Sequence, residues 1–419
     1  MNSGATPDPH SHRWLVLFGV WLIYGTFGLI AASLAPLVTR IELDLNIGHT
    51  AMGSVMGAWQ LVFIAAAIPC GLLLDRLGMR WALLIGAVSI AASAWGRSIA
   101  DDYWTLLLAV MIFGVGGPVI SAGAPKVIAN WFEGSSRGFA MGIYVTGPSL
   151  GGICAFTLTH PLFLPWFDGN WRPLFVLWAA AALGAGVLWF LIASLPAIRQ
   201  RADQIHAEAP LPHRRVVRDL VAEPAVRLML LMAIAVFALS HGLMNWLPEL
   251  LVGYGMSHSQ AGYWAALPTL VGIFSALTIP RLATPERRFQ ILIGLCISIL
   301  LATVALQFSS KFILFFGLVL QGVARATLMT VLVLTLVELP GVGQRNAGTA
   351  SGLFFAAAEI GGMLGPLLMG LLYDLTQNFV AGLMFCSLMS FGLLHGANRL
   401  RHAVQPAHER HARKQQDGA

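Results

Sequence analysis

Charge is scarce in this chain: only 11% of its 419 residues are Asp, Glu, Lys or Arg, while 57% are hydrophobic. A soluble globular domain carries about 25% charged residues, so that class is excluded and a polytopic membrane protein remains. Cysteine is as sparse. Cys70, Cys154, Cys296 and Cys386 lie in apolar runs without metal-ligand spacing, which excludes a disulfide scaffold and reads as small buried residues. The chain has no phosphate-binding loop, no paired carboxylates at catalytic spacing and no G-x-S-x-G nucleophile turn. Neither an enzyme, nor an ATP-driven pump, nor a resident cofactor or metal is therefore expected.

What the chain does have is apolar length. A helical span needs about 20 apolar residues, and such runs lie near 14–39, 50–74, 81–99, 104–131, 136–160 and 172–195, then near 226–252, 260–282, 288–308, 311–337, 346–372 and 379–398. The first run, from Trp14 to Val38, is too long for a cleaved signal peptide and reads as a span. The expected fold is all-α, with twelve transmembrane helices in two six-helix bundles. Its parts are an N-terminus at 1–13, a first bundle at 14–195, a linker at 196–225, a second bundle at 226–398 and a basic tail at 399–419. The tail is polar and reads as disordered; its His402, His408 and His411 are spaced for adventitious metal binding at most.

Charge tests that count. With both termini cytoplasmic, the inner side collects Arg13, Arg76, Arg80, Arg137, the linker arginines, Arg281, Arg287, Arg288, Arg345 and the tail. The other side receives only Arg40, Arg97, Arg172 and Lys311. This is the asymmetry of the positive-inside rule. The formal net charge of +6 thus reports topology and the lipid surface, and does not point to nucleic acid.

The connection between the second and third runs reads Gly71-Leu72-Leu73-Leu74-Asp75-Arg76-Leu77-Gly78-Met79-Arg80. The pattern G-x-x-x-D-R-x-G-x-R resembles the loop between the second and third helices of the major facilitator superfamily of secondary transporters. In that reading Gly71, Asp75, Arg76, Gly78 and Arg80, with Arg137 at a neighbouring helix end, form a gating latch. The second half departs from the pattern: Pro280-Arg281-Leu282-Ala283-Thr284-Pro285-Glu286-Arg287-Arg288 keeps the charge without the motif. Thr146-Gly147-Pro148-Ser149-Leu150-Gly151-Gly152 resembles the superfamily's G-P-x-x-G-G element of antiporters, and Gly365-Pro366 is similar in the eleventh run. Gly147, Pro148, Gly151, Gly152, Gly365 and Pro366 are thus hinge candidates. Asn245-Trp246-Leu247-Pro248-Glu249-Leu250 is similar to the cyanate permease and nitroimidazole exporter branch, and Ala124-Pro125-Lys126 through Phe132 is shared with organic-anion porters. The same element resembles nitrate porters, but that resemblance implies an Arg in each of the second and eighth runs, and its absence here argues against nitrate.

The halves also echo one another. Gly138, Gly142, Gly151 and Gly152 align with Gly348, Gly352, Gly361 and Gly362, and Gly114 with Gly322. Parallel six-helix repeats are how such transporters are built, and the resemblance implies a substrate site near the midplane between them.

Ionisable residues deep in a span cost about 2.5–3.5 kcal/mol on insertion scales, so each needs a reason. Arg325, Glu359 and His241 qualify. A guanidinium can hold a carboxylate or other small anion bidentately, or pair structurally with Glu359. Glu359 is the candidate proton carrier, released to take a proton when substrate displaces it from Arg325; His241 can also titrate. Tyr24, Trp59, Gln60, Tyr144, Asn245, Trp246 and Gln321 lie at similar depth and are expected to line the cavity. The expected function is secondary transport of a small anion, such as a monocarboxylate, across a bacterial inner membrane, coupled to protons, by a monomer. The alternatives are an efflux antiporter for lipophilic compounds and a transporter-like sensor.

Overall fold

The computed structural model describes residues 12–199, 214–339 and 342–416. Regular structure among the described residues is helical throughout. Twelve helices are long and apolar enough to cross a membrane: Arg13–Leu45, His49–Ala67, Arg76–Ser98, Tyr103–Trp131, Ser136–Trp166 and Arg172–Ala193, then Pro224–Gly253, His258–Leu282, Arg288–Ala305, Lys311–Val337, Gly348–Thr376 and Val380–His402. They are spans 1 to 12 below.

Local chemistry sets where the spans bend and end. Span 1 narrows to a 3₁₀ turn at Ala35–Leu37, where Pro36 cannot donate a helical hydrogen bond. Spans 2 and 3 form one helical run, His49–Ser98, broken inside only at Gly78, whose φ of 72° is open to glycine and strained for any other side chain. Span 4 opens on a reciprocal cap between Asp102 and Thr105; span 8 opens on the equivalent cap between Ser257 and Gln260. The last helix runs on to Gln416. The sequence reading expects a disordered tail there, but Ala, Glu, Arg, Lys and Gln are good helix formers, and extending an existing helix needs no new nucleus.

The chain divides into two compact units, Met1–Ile47 with Ala58–Pro210, and Gly48–Gly57 with Leu211–Ala419. In the first, spans 1 and 5 meet through bare backbone. A Cβ at Gly28 would overlap Pro148, and one at Gly151 would overlap the carbonyl of Gly25. Arg97, at the end of span 3, is 1% exposed. It donates to the carbonyl of Ile30 (2.9 Å) and lies over the rings of Phe113 and Phe175. It thereby serves a carbonyl near the frayed end of span 1. At the same end of the unit, Arg172 pairs with Asp44 and donates to the carbonyl of Ala100.

In the second unit spans 7 and 11 meet in the same manner, with Gly361 against the carbonyl of Ile234 and Gly365 against that of Ala238. Arg288 forms a bidentate ion pair with Glu338, joining the start of span 9 to the end of span 10. Although this half lacks the loop motif, one of the arginines retained there is thus a structural clamp. The opening turns of span 2 pack with this unit: Gly53 lies against the carbonyl of Pro366 and Gly57 against that of Met363.

Candidate functional site

The polar chemistry of the second unit gathers on spans 7, 8, 10 and 11. Arg325 is half-buried midway along span 10. Its Nη2 donates to the hydroxyl of Thr269 (2.9 Å) and its Nη1 to the sulfur of Met244 (3.3 Å). Both partners are neutral, so the guanidinium keeps its full charge and most of its five donors. Among the described residues no ion pair joins it to Glu359. The structural pairing weighed from the sequence is therefore not formed, because Arg325 is turned to Thr269 instead. Ser240, Ala324 and Leu328 line a small recess beside it.

Glu359 is buried on span 11, and its Oε2 has no hydrogen-bond partner. One helical turn before Arg325, Gln321 is 1% exposed with its Oε1 likewise unpartnered. Buried polar atoms in this condition are rare and mark places where a proton, a water or a ligand completes the structure. His241 lies against Phe237, with ring centroids 5.2 Å apart. Asn245 turns its amide back to the carbonyl of His241, within its own helix. Trp246 is fully buried and donates to the carbonyl of Pro366, so it packs span 7 on span 11 where the sequence reading makes it a cavity residue.

The first unit carries an aromatic chain. Tyr24 stacks on Tyr144, with centroids 5.6 Å apart and planes 14° apart, and leans on Phe27. Phe27 meets Phe113, and Trp59 meets Phe63 and Phe113 edge to face. Tyr24, Trp59 and Tyr144, three of the candidates, thus belong to one connected set on spans 1, 2 and 5. Gln60 is 0% exposed, which makes it an interior residue.

Of the latch residues, Gly71 and Asp75 lie outside those whose side-chain surroundings are described. Arg76 is exposed. Arg80 reaches Ser194 and lies over Trp81 and Phe190. Arg137 donates to the carbonyls of Phe132 (2.8 Å) and Ala129 (3.1 Å), capping the end of span 4. Among the hinge candidates, Gly147 and Gly151 touch span 1, Gly365 touches span 7, and Gly152 is only in ordinary contact with Ala32. Among the described residues no cluster of His, Cys, Asp or Glu could hold a metal ion.

The sequence reading missed Asp374 and His49. Asp374 accepts from the backbone N–H of His49 and Thr50 and from the Thr50 hydroxyl. Both residues sit at span ends, where charge is ordinary, so no depth argument singles them out.

Comparison with known proteins bears on the fold and the family. A transporter of Bacillus subtilis named YycB, itself uncharacterized, is 24% identical over 97% of this chain and 100% of its own length. The hexuronate transporter of the same organism is 23% identical over 81% of this chain and 83% of its own. Among solved structures, the nucleoside transporter NupG superposes with a TM-score of 0.75 at 13% identity, covering 92% of this chain and 99% of that one. The profile of the Major Facilitator Superfamily matches residues 16–366, from within span 1 to within span 11. With that match over most of its length, the chain belongs to the Major Facilitator Superfamily of membrane transporters.

Proposed function

We propose that this transporter moves a small organic anion, with Arg325 as the anchor for its carboxylate. The observation that carries the reading is that Arg325, among the described residues, pairs with Thr269 and Met244 and with no carboxylate. A half-buried guanidinium without a carboxylate partner attracts anions and repels cations. The hexuronate carried by one relative is a monocarboxylate of suitable chemistry.

Glu359 is the proposed proton carrier. Since it holds no ion pair with Arg325 here, coupling does not need the anion to displace it. Burying an unpaired carboxylate is costly, and a bound proton removes that cost. Protonation and anion binding would then be linked through the shared interior of the second unit. The charge asymmetry of the loops supports cytoplasmic termini, and we take the working unit to be a monomer in a bacterial inner membrane.

The test is uptake of radiolabelled glucuronate and acetate into proteoliposomes, with and without an imposed pH gradient. Anion uptake that collapses in Arg325→Ala supports the reading. Transport of cations alone, or normal uptake by Arg325→Ala, overturns it. The aromatic chain of the first unit favours a second reading, efflux of lipophilic compounds, which the same vesicles test with ethidium.

A further inference from the structure

A hydroxyl inside a helix commonly turns back on a carbonyl of its own helix. Thr278 in span 8 donates in this way to Phe274 (2.8 Å), and Thr335 in span 10 to Val331 (2.7 Å). Thr269 in span 8 does otherwise. It is 7% exposed, and among the described residues its hydroxyl makes one hydrogen bond, accepting from Nη2 of Arg325 at 2.9 Å.

That acceptor stands at a fixed point. Immediately before it, a Cβ on Gly322 of span 10 would fall 2.5 Å from the carbonyl oxygen of Pro268. Three residues after it, a Cβ on Gly272 would fall 3.1 Å from that of Ala326. The bond between Thr269 and Arg325 is thus bracketed by two close contacts of spans 8 and 10, and neither span can slide without breaking them. Threonine is also restricted at χ1 by its branched Cβ. The other partner of the guanidinium, Met244, is of a different kind. A thioether is a weak acceptor on a flexible stem, so it follows the guanidinium without directing it.

Orientation matters because a guanidinium grips a carboxylate with a planar fork, and a fork already turned to its ligand loses less freedom on binding. With one N–H on Thr269 and one on Met244, three of the five remain for an anion. We propose that Thr269 is the positioning residue of the anion site: by accepting from Nη2 it fixes the plane in which Arg325 presents its remaining donors. The inference rests on the anion reading. It adds that affinity for the carboxylate is set by a neutral side chain that acts through Arg325.

The experiment is initial-rate uptake of radiolabelled acetate and glucuronate into proteoliposomes, with melting temperatures of the same preparations in detergent. Thr269→Val keeps the shape and removes the acceptor. Its KM should rise about tenfold or more, the scale of losing a hydrogen bond to a charged group, with Vmax within about twofold. Thr269→Ser restores the acceptor and should bring KM back to within about threefold of the parent. Thr278→Val loses a hydroxyl already committed to its own helix and should leave KM unchanged. Where Thr269→Val yields no folded protein, Thr269→Cys, whose sulfur accepts only weakly, should show a smaller rise of the same kind. A parental KM in Thr269→Val or Thr269→Cys overturns the inference. So does a fall in Vmax and melting temperature that serine does not rescue, because Thr269 would then support the fold and not the guanidinium. In both cases loss of uptake by Arg325→Ala leaves the anion reading standing. Normal uptake by Arg325→Ala overturns both.

Discussion

In the first unit Gly114 of span 4 lies against the carbonyl of Trp59 in span 2; in the second, Gly322 of span 10 lies against that of Pro268 in span 8. Gly147 and Gly151 seat span 5 on Trp21 and Gly25, while Gly361 and Gly365 seat span 11 on Ile234 and Ala238. The scaffolds correspond contact by contact. Their freight does not. Next to the Gly114 contact the first unit places Gln60 and a wall of rings; next to the Gly322 contact the second places Thr269, which holds Arg325. The glycines that let backbones touch recur in both halves, whereas Arg325 and Glu359 belong to the second and the stacked rings of Tyr24 and Tyr144 to the first. Packing is therefore the shared property of the repeat, and the side chains carried on it differ.

The largest effects should fall on the shared part and be equal in both halves. Leucine at Gly151 or at Gly365 would drive a side chain into a facing carbonyl, and overpacking costs about 1–3 kcal/mol even where neighbours can move. Both variants should lower the detergent melting temperature and the folded yield. A large loss in one and none in the other would break the correspondence of spans 5 and 11.

Arg97 and Arg325 should part company. Arg97→Ala removes a donor from the Ile30 carbonyl and two ring contacts, so it should lower stability while transport per folded molecule persists. Arg325→Ala should leave the melting temperature within a few degrees and reduce anion uptake by about 100-fold or more, the scale of losing a charged hydrogen-bonded anchor. If Arg97→Ala instead abolishes uptake at unchanged stability, the first unit carries anion chemistry too. Glu359→Gln should then be milder than Arg325→Ala: counterflow at equal pH persists, and accumulation driven by a pH gradient is lost. Accumulation that survives moves the proton to His241.

How much of this was legible beforehand follows from depth and period. Arg325 and Glu359 stand out because each interrupts an apolar run. Arg97 does not, because it closes one, and the end of a run reads as surface. Gly114 and Gly322 align correctly from the sequence. Gly151 and Gly361, aligned from the sequence, each meet a facing carbonyl, that of Gly25 and that of Ile234. Helix neighbours recur every three or four residues, so Gly147 and Gly365 add a second such contact one turn away. The trans cap at Asp374 depends on which helix end comes to lie beside which, and no local pattern carries that.

The smallest effect sharpens the comparison at the caps of spans 4 and 8. Asp102 caps span 4 and Ser257 caps span 8, in the same reciprocal geometry. One cap can be titrated and the other cannot. The Thr105 backbone N–H, bound at 2.8 Å, and then its hydroxyl hold the Asp102 carboxyl below its ordinary range. A carboxyl depressed in the folded state stabilises above its unfolded pKa and loses that contribution as pH falls through the folded value. Acidification should therefore loosen the first turn of span 4 while the first turn of span 8 stays as it is. The measurement is amide exchange at residues 103–107 and 258–262 across an acidic series, corrected for the intrinsic rate. Asp102→Asn should make span 4 insensitive to pH, and Ser257→Asp should give span 8 the sensitivity it lacks. If both first turns loosen together in the parent protein, the acid response belongs to the bundles as a whole, and the two caps are equivalent after all.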